Sequence, residues 1–161
     1  MINQIFEKLA ERWKDVDYME SESDVPEIKK RTIQAKTLYK LITKIPDLSI
    51  TSAIIKSSPT LKTLFKTVNN STFLAITDES WLSLFSYDEL TTKTNKFHET
   101  IIHGLIQGKY MYHKHGQYIQ NINKNNLLVE RDRDQIYIEN IRLRINNATY
   151  TTDTNCVLYL I

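Results

Sequence analysis

Four histidines, one cysteine and a short run of alternating Asp and Arg are the side chains with chemistry to offer in this 161-residue chain. A hydrolytic or metal site needs a nucleophile, a base, or several ligands within reach of one another. His98 and His103 are five positions apart, which on a helix turns them about 140° from each other, so they would not share a metal. His113 and His115 alternate on a predicted strand and can face the same way. Two imidazoles without further ligands make an incomplete site, and the pair is expected to be solvated near a turn. Cys156 sits in an apolar run, where a thiol behaves as a small buried hydrophobe. Asp132 and Asp134, with Arg131 and Arg133, read as a solvated hairpin turn. The three glycines form no phosphate-cradling loop. The expectation is a non-enzymatic chain without cofactor or metal.

The bulk composition narrows the classes further. Net charge is +2, with 21 basic and 19 acidic residues, and apolar residues make up 41%, the balance of a globular domain. The best basic cluster, Lys29-Lys30-Arg31 with Lys36, Lys40 and Lys44, alternates with apolar positions on a predicted helix. That reads as a solvated face, not a phosphate-binding stripe, and no nucleic-acid partner is expected. A single cysteine leaves no intrachain disulfide. No run of about 18 apolar residues exists to span a bilayer. The first residues lack a basic start followed by an apolar stretch. With Met1 as the natural start, the protein is expected inside a cell or in a particle; with a processed start, at a surface or secreted. Three Asn-x-Ser/Thr triplets begin at Asn69, Asn70 and Asn147, and without a secretory signal they carry no argument.

The elements that must position these side chains follow from periodicity. Ile2, Phe6, Leu9, Trp13 and Val16 alternate spacings of four and three, an amphipathic helix. Such a stripe docks on its own domain, on a second copy or on a partner, and its five residues are the candidate interaction surface. Glu20 to Asp24 is an acidic linker. Pro26 suits the first turn of a helix running to Lys44, ended by Pro46. Asp47-Leu48-Ser49 caps a helix through Ile55, and Ser58-Pro59 starts another. Thr72 to Ile76 is a buried strand, Thr77-Asp78 caps a helix carrying Trp81, Leu82 and Phe85, and a further helix covers Thr94 to Ile106. Leu127–Arg131 and Gln135–Asn140 flank a hairpin turn, and Ile141 to Ile145 extends the second strand or begins a third. Asn155 to Ile161 is a central strand. Helices come first and strands last, which favours α+β.

Three segments, in order and at suitable separations, resemble the fasciclin domain family. Thr72-Phe73-Leu74-Ala75-Ile76-Thr77-Asp78-Glu79-Ser80-Trp81 looks like the first family signature, a strand running into a capped helix, with Ile76 where proline is usual and Ser80 where alanine is usual. Thr154 to Ile161 looks like the second signature, with Cys156 in place of glycine and Tyr159 in place of histidine. Between them, Leu127-Leu128-Val129 and Ile136-Tyr137-Ile138 match expected apolar strand positions. Upstream, Leu38 to Leu64 resembles the family's opening helices. The resemblance covers about residues 35 to 161. It implies a wedge of two packed β-sheets flanked by helices, with Leu74, Ala75, Trp81, Val157 and Leu158 in one core. Many members carry Tyr-His ahead of a glycine in a segment tied to receptor binding. Counting back from Gly108 puts those positions at His103 and Gly104, so that role is not carried over.

The expected organisation is therefore an N-terminal amphipathic helix and acidic linker over residues 1–25, then a fasciclin-like domain over residues 26–161. The function implied is an interaction or adhesion-type module that binds protein partners or self-assembles, in part through the N-terminal helix. The alternative is a carrier of a small apolar ligand such as a carotenoid or lipid, as some fasciclin-like proteins are.

Overall fold

The computed structural model describes residues 3–14, 31–111, 113–144 and 148–161. The N-terminal helix α1 (Gln4–Lys14) forms where the stripe predicts it. Asn3 supplies the cap, its Oδ1 accepting the backbone N–H of Ile5 at 3.0 Å. The helix lies against strand β7 (Ile141–Arg142). Phe6, Leu9 and Ala10 are buried in the same apolar cluster as the rest of the chain.

The helix expected from Pro26 to Lys44 is corrected over its described part. Residues 31–35 form strand β1 (Arg31–Ala35), and only α2 (Leu38–Lys44) is helical, its start fixed by the Thr37 side chain accepting the N–H of Lys40. The β-branched Thr32 and Ile33 suit an extended backbone, and the strand lies parallel to β8 (Ala148–Thr152), a partner more than a hundred residues away.

Three further helices form where the sequence places them: α3 (Ser49–Lys56), α4 (Pro59–Thr67) capped by Ser58, and α5 (Asp78–Leu82) capped by Thr77, the last ending before Phe85, which was expected on it. The cap of α3 is a correction. Leu48 stands at its N-cap without a side-chain bond, and the acceptor comes from Asp78. That carboxylate takes the N–H of Ile50 at 2.8 Å and the hydroxyl of Ser49. The helix expected over Thr94–Ile106 divides into a 3-10 turn (Thr94–Phe97), helix α7 (His98–His103) and strand β3 (Leu105–Gln107). Between α5 and that turn lies α6 (Tyr87–Thr92), capped by Ser86.

The fold is α+β with two sheets. The five-stranded sheet has the order β1-β8-β9-β2-β3 and the four-stranded one β4-β5-β6-β7. The new strands are β2 (Ser71–Ala75), β4 (Tyr118–Gln120), β5 (Asn126–Asp132), β6 (Gln135–Ile138) and β9 (Val157–Leu160). The C-terminal run is central, as expected: β9 pairs antiparallel with β8 and parallel with β2. Leu74, Ala75, Trp81, Val157 and Leu158 are all buried. Trp81 donates its indole N–H to Thr51 Oγ1 at 2.9 Å and meets Phe97 edge-on at 5.3 Å.

The second sheet is a meander. Arg133 and Asp134 turn β5 into β6, Asp132 pairing with Gln135. Ile141 begins a third strand after a tight turn at Glu139 and Asn140, both at positive φ (51° and 65°). Isolated bridges join the sheets on both sides, Ile106 to Asn121 and Arg144 to Leu160. Gly104 is required by close approach, since a Cβ there would stand 2.7 Å from the Leu74 carbonyl oxygen and 3.4 Å from the Phe6 ring.

Candidate functional site around His113

The parallel pairing of β9 with β2 sets the geometry. Successive side chains of a strand point to opposite faces. Phe73, the register partner of Leu158, meets Phe65 of α4 edge-on at 4.8 Å. Leu74 and Tyr159 therefore face the other way, where the chain leaving β3 crosses. Gly108, at φ 95°, makes the turn. Thr72 anchors the arriving segment with one hydroxyl, which donates to Gly108 O at 2.8 Å and accepts from the Tyr110 N–H at 2.8 Å. The Tyr159 hydroxyl donates to Tyr110 O at 2.7 Å.

The segment 113–117 is held from the other side by β5. The Gly116 N–H donates to Val129 O at 2.9 Å, and the Val129 N–H donates to Gln117 O at 2.8 Å. The Arg131 N–H donates to His115 Nδ1 at 3.0 Å, and the Arg131 guanidinium donates to His113 O at 3.1 Å. Gly116 takes φ 81°, a conformation cheap only for glycine.

These bonds press the His113 ring inward. It is 2% exposed and meets Tyr159 edge-on at 5.2 Å. Among the described residues neither ring nitrogen has a hydrogen-bond partner. Burial, with the Arg131 charge adding to it, pushes the imidazole down to about 4. Burial pushes the Tyr159 phenol up to about 12. Both groups are therefore neutral near pH 7. The phenol O–H is committed to a backbone carbonyl and is not shared with the ring, so the contact is a packing contact between a buried imidazole and a half-buried phenol.

The expectation of a solvated His113/His115 pair is corrected. His113 is buried and His115 is exposed, because the ring of His115 turns outward to take a backbone N–H. His98 and His103 stand at opposite ends of α7. His98 Nε2 lies 3.4 Å from Ser57 Oγ. His103 is buried, edge-on to Phe6 at 4.6 Å, with Asn121 Nδ2 donating to its carbonyl at 3.2 Å and standing 3.4 Å from its Nδ1. Burial lowers the His103 pKa. Among the described residues, no group of three or more His, Cys, Asp or Glu could hold a metal ion. Cys156 is fully buried, and Asp132 and Asp134 are exposed at the hairpin turn.

Of the candidate interaction surface, Phe6 and Leu9 are 1% and 2% exposed and face the chain's own core. Ile2, Val16 and the side chain of Trp13 lie outside the described residues. Of the basic cluster, Lys29 and Lys30 also lie outside them. Arg31 is on β1, Lys36 on the connection after it, and Lys40 and Lys44 on α2, so they do not share one helix.

The exposed large apolar side chains include Leu82 and Tyr87, 49% and 65% exposed. In the chain they stand on either side of the half-buried Phe85, whose ring has Lys96 Nζ at 5.4 Å and Lys8 Nζ at 5.8 Å from its centroid. Sequence reasoning placed neither this surface nor the buried His113. A signal for the second was present: two of the three glycines, Gly108 and Gly116, bracket a short segment carrying Tyr110, Tyr112 and His113. No family model matches the chain, and no curated protein matches it. No helix among the described residues is long and apolar enough to cross a membrane.

Proposed function

We propose that this chain is a non-enzymatic, fasciclin-like interaction module that binds a protein partner or a second copy of itself. The family part of the reading is supported by the side-by-side pairing of its two signature-like segments. Thr72 to Ala75 on β2 pair in register with Val157 to Leu160 on β9. The Thr77 N–H and the hydroxyls of Thr77 and Ser80, at the start of the helix after β2, then bond the Ile161 carbonyl at 3.1 Å.

The observation that carries the interaction reading is the exposure of Leu82 and Tyr87, five positions apart in the chain with the lysine-rimmed Phe85 between them. Apolar area clustered on a surface and rimmed by charge is the usual anatomy of a contact site. The test is a photo-crosslinking residue placed at position 82, 87 or, as control, 124, in protein expressed in its native source. A discrete adduct from positions 82 and 87, absent from 124, is expected. Its mass separates a second copy from another polypeptide. Equal or absent adducts at all three positions refute the interaction surface.

A further inference from the structure

We propose that His113 is an acid-operated latch, whose protonation releases the segment 113–117 from β5 and β9 while the body of the fold stays intact. A neutral imidazole can be buried without partners at moderate cost, but an imidazolium needs water or a carboxylate. The ring is 2% exposed, and among the described residues the charge that acts on it is that of Arg131. On β9 the ring meets Tyr159, whose hydroxyl is already committed to Tyr110 O. On β5 it faces Arg131, a like charge. Glu130 and Asp132, the carboxylates either side of Arg131, alternate to the opposite face of β5. On the crossing segment the neighbours are Tyr110, Lys114 and His115, and the Nδ1 of His115 is taken by the Arg131 N–H.

The cheapest way for the cation to reach water is for its own segment to lift. That breaks the bonds of His113 and His115 to Arg131 and of Gly116 and Gln117 to Val129. It breaks none of the pairings among β2, β8 and β9. Gly116 lies inside the lifting segment and Gly108 at the far end of the crossing, both already at positive φ, and glycine absorbs such changes with little strain. Lifting uncovers Tyr159 and the face of β9 around it.

The direction follows from linkage. The ring titrates at about 4 in place and at about 6.5 once released. The closed state therefore keeps its full advantage above about pH 6.5 and loses it as pH falls towards 4. Between pH 8 and pH 5 the opening constant rises about thirty-fold.

Hydrogen exchange of the full chain, read by mass spectrometry and corrected for intrinsic rates, tests this. Amides of residues 113–117 are expected to lose protection by about that factor at pH 5, while peptides covering β2 and β9 keep theirs. His113→Phe keeps an aromatic edge against Tyr159 and should abolish the pH dependence. His113→Gln, which has no group titrating in this range, should do the same and serves if the phenyl ring is not accommodated. Equal pH dependence in wild type and variants overturns the latch. So does simultaneous loss of protection in β2 and β9, which would mean that the whole domain unfolds.

Discussion

Replacing Phe6 by alanine asks whether the N-terminal helix belongs to the domain or to its partners. The ring is 1% exposed, stacks edge-on against His103 at 4.6 Å and lies against Gly104. Truncating a fully buried Phe costs about 3–5 kcal/mol, most of it apolar transfer and the cavity left behind. The aromatic edge contact contributes about 0.5–1.5 kcal/mol of that. An isolated helix of 11 residues is marginal in water, so α1 should fray as its anchor is lost. Phe6→Leu refills most of the volume and should cost about 1–1.5 kcal/mol. The assay is urea denaturation followed by circular dichroism, with light scattering on the same samples. The expected result is a large loss of stability for Phe6→Ala at unchanged molecular mass. A loss below about 1 kcal/mol, or a change of mass with stability retained, would refute the packing argument. It would return the stripe of Ile2, Phe6, Leu9, Trp13 and Val16 to the role of a partner contact.

Two further outcomes are expected. Asp78→Ala removes the acceptor for the Ile50 N–H and the Ser49 hydroxyl and should cost about 1–3 kcal/mol in the same denaturation assay; Asp78→Asn retains one acceptor oxygen and should cost less, and equal losses would show that the carboxylate charge, not a neutral acceptor, carries the whole effect. Cys156, fully buried between Val68 and Thr154, should resist thiol reagents in the native protein and react on unfolding, whereas rapid native labelling would show that β9 is not closed at its start.

What could be read from the sequence divides along the reach of the interactions. The caps Ser58 and Thr77, the Arg133-Asp134 turn and the central apolar run at β9 are local signals, each set by residues within a few positions of one another. The start of α3 was misread because its acceptor, Asp78, arrives from 28 positions away. The error over residues 31–35 has the same origin: Ala35 falls on one helical face with Leu38 and Ile42, but pairing with β8 across the chain overrides the local pattern. The β6–β7 turn escaped because Glu139-Asn140 lacks the glycine that usually marks two positive φ angles. At the site, the alternation of His113 and His115 was legible, but which of them enters the core was not. That is decided by Arg131, whose N–H captures the His115 ring and whose guanidinium holds the His113 carbonyl.

The same division explains why the segment at His113 can move without the body. The two sheets are tied at Ile106–Asn121 on one side and at Arg144–Leu160 on the other, and α1 lies along β7. Each of those ties is flanked by buried side chains, among them Ile106, Asn121 and Leu160. The crossing between β3 and β4 is a third tie, but there His113 points inward with no hydrogen-bond partner for its ring among the described residues, and its neighbours Lys114, His115 and Gly116 are exposed. Local opening takes place where few apolar contacts are lost and the freed backbone reaches water directly. Here one such place carries a group whose charge depends on pH. An apolar residue at position 113 would strengthen the tie and remove its response to acid, so stability and response are opposed at this single side chain.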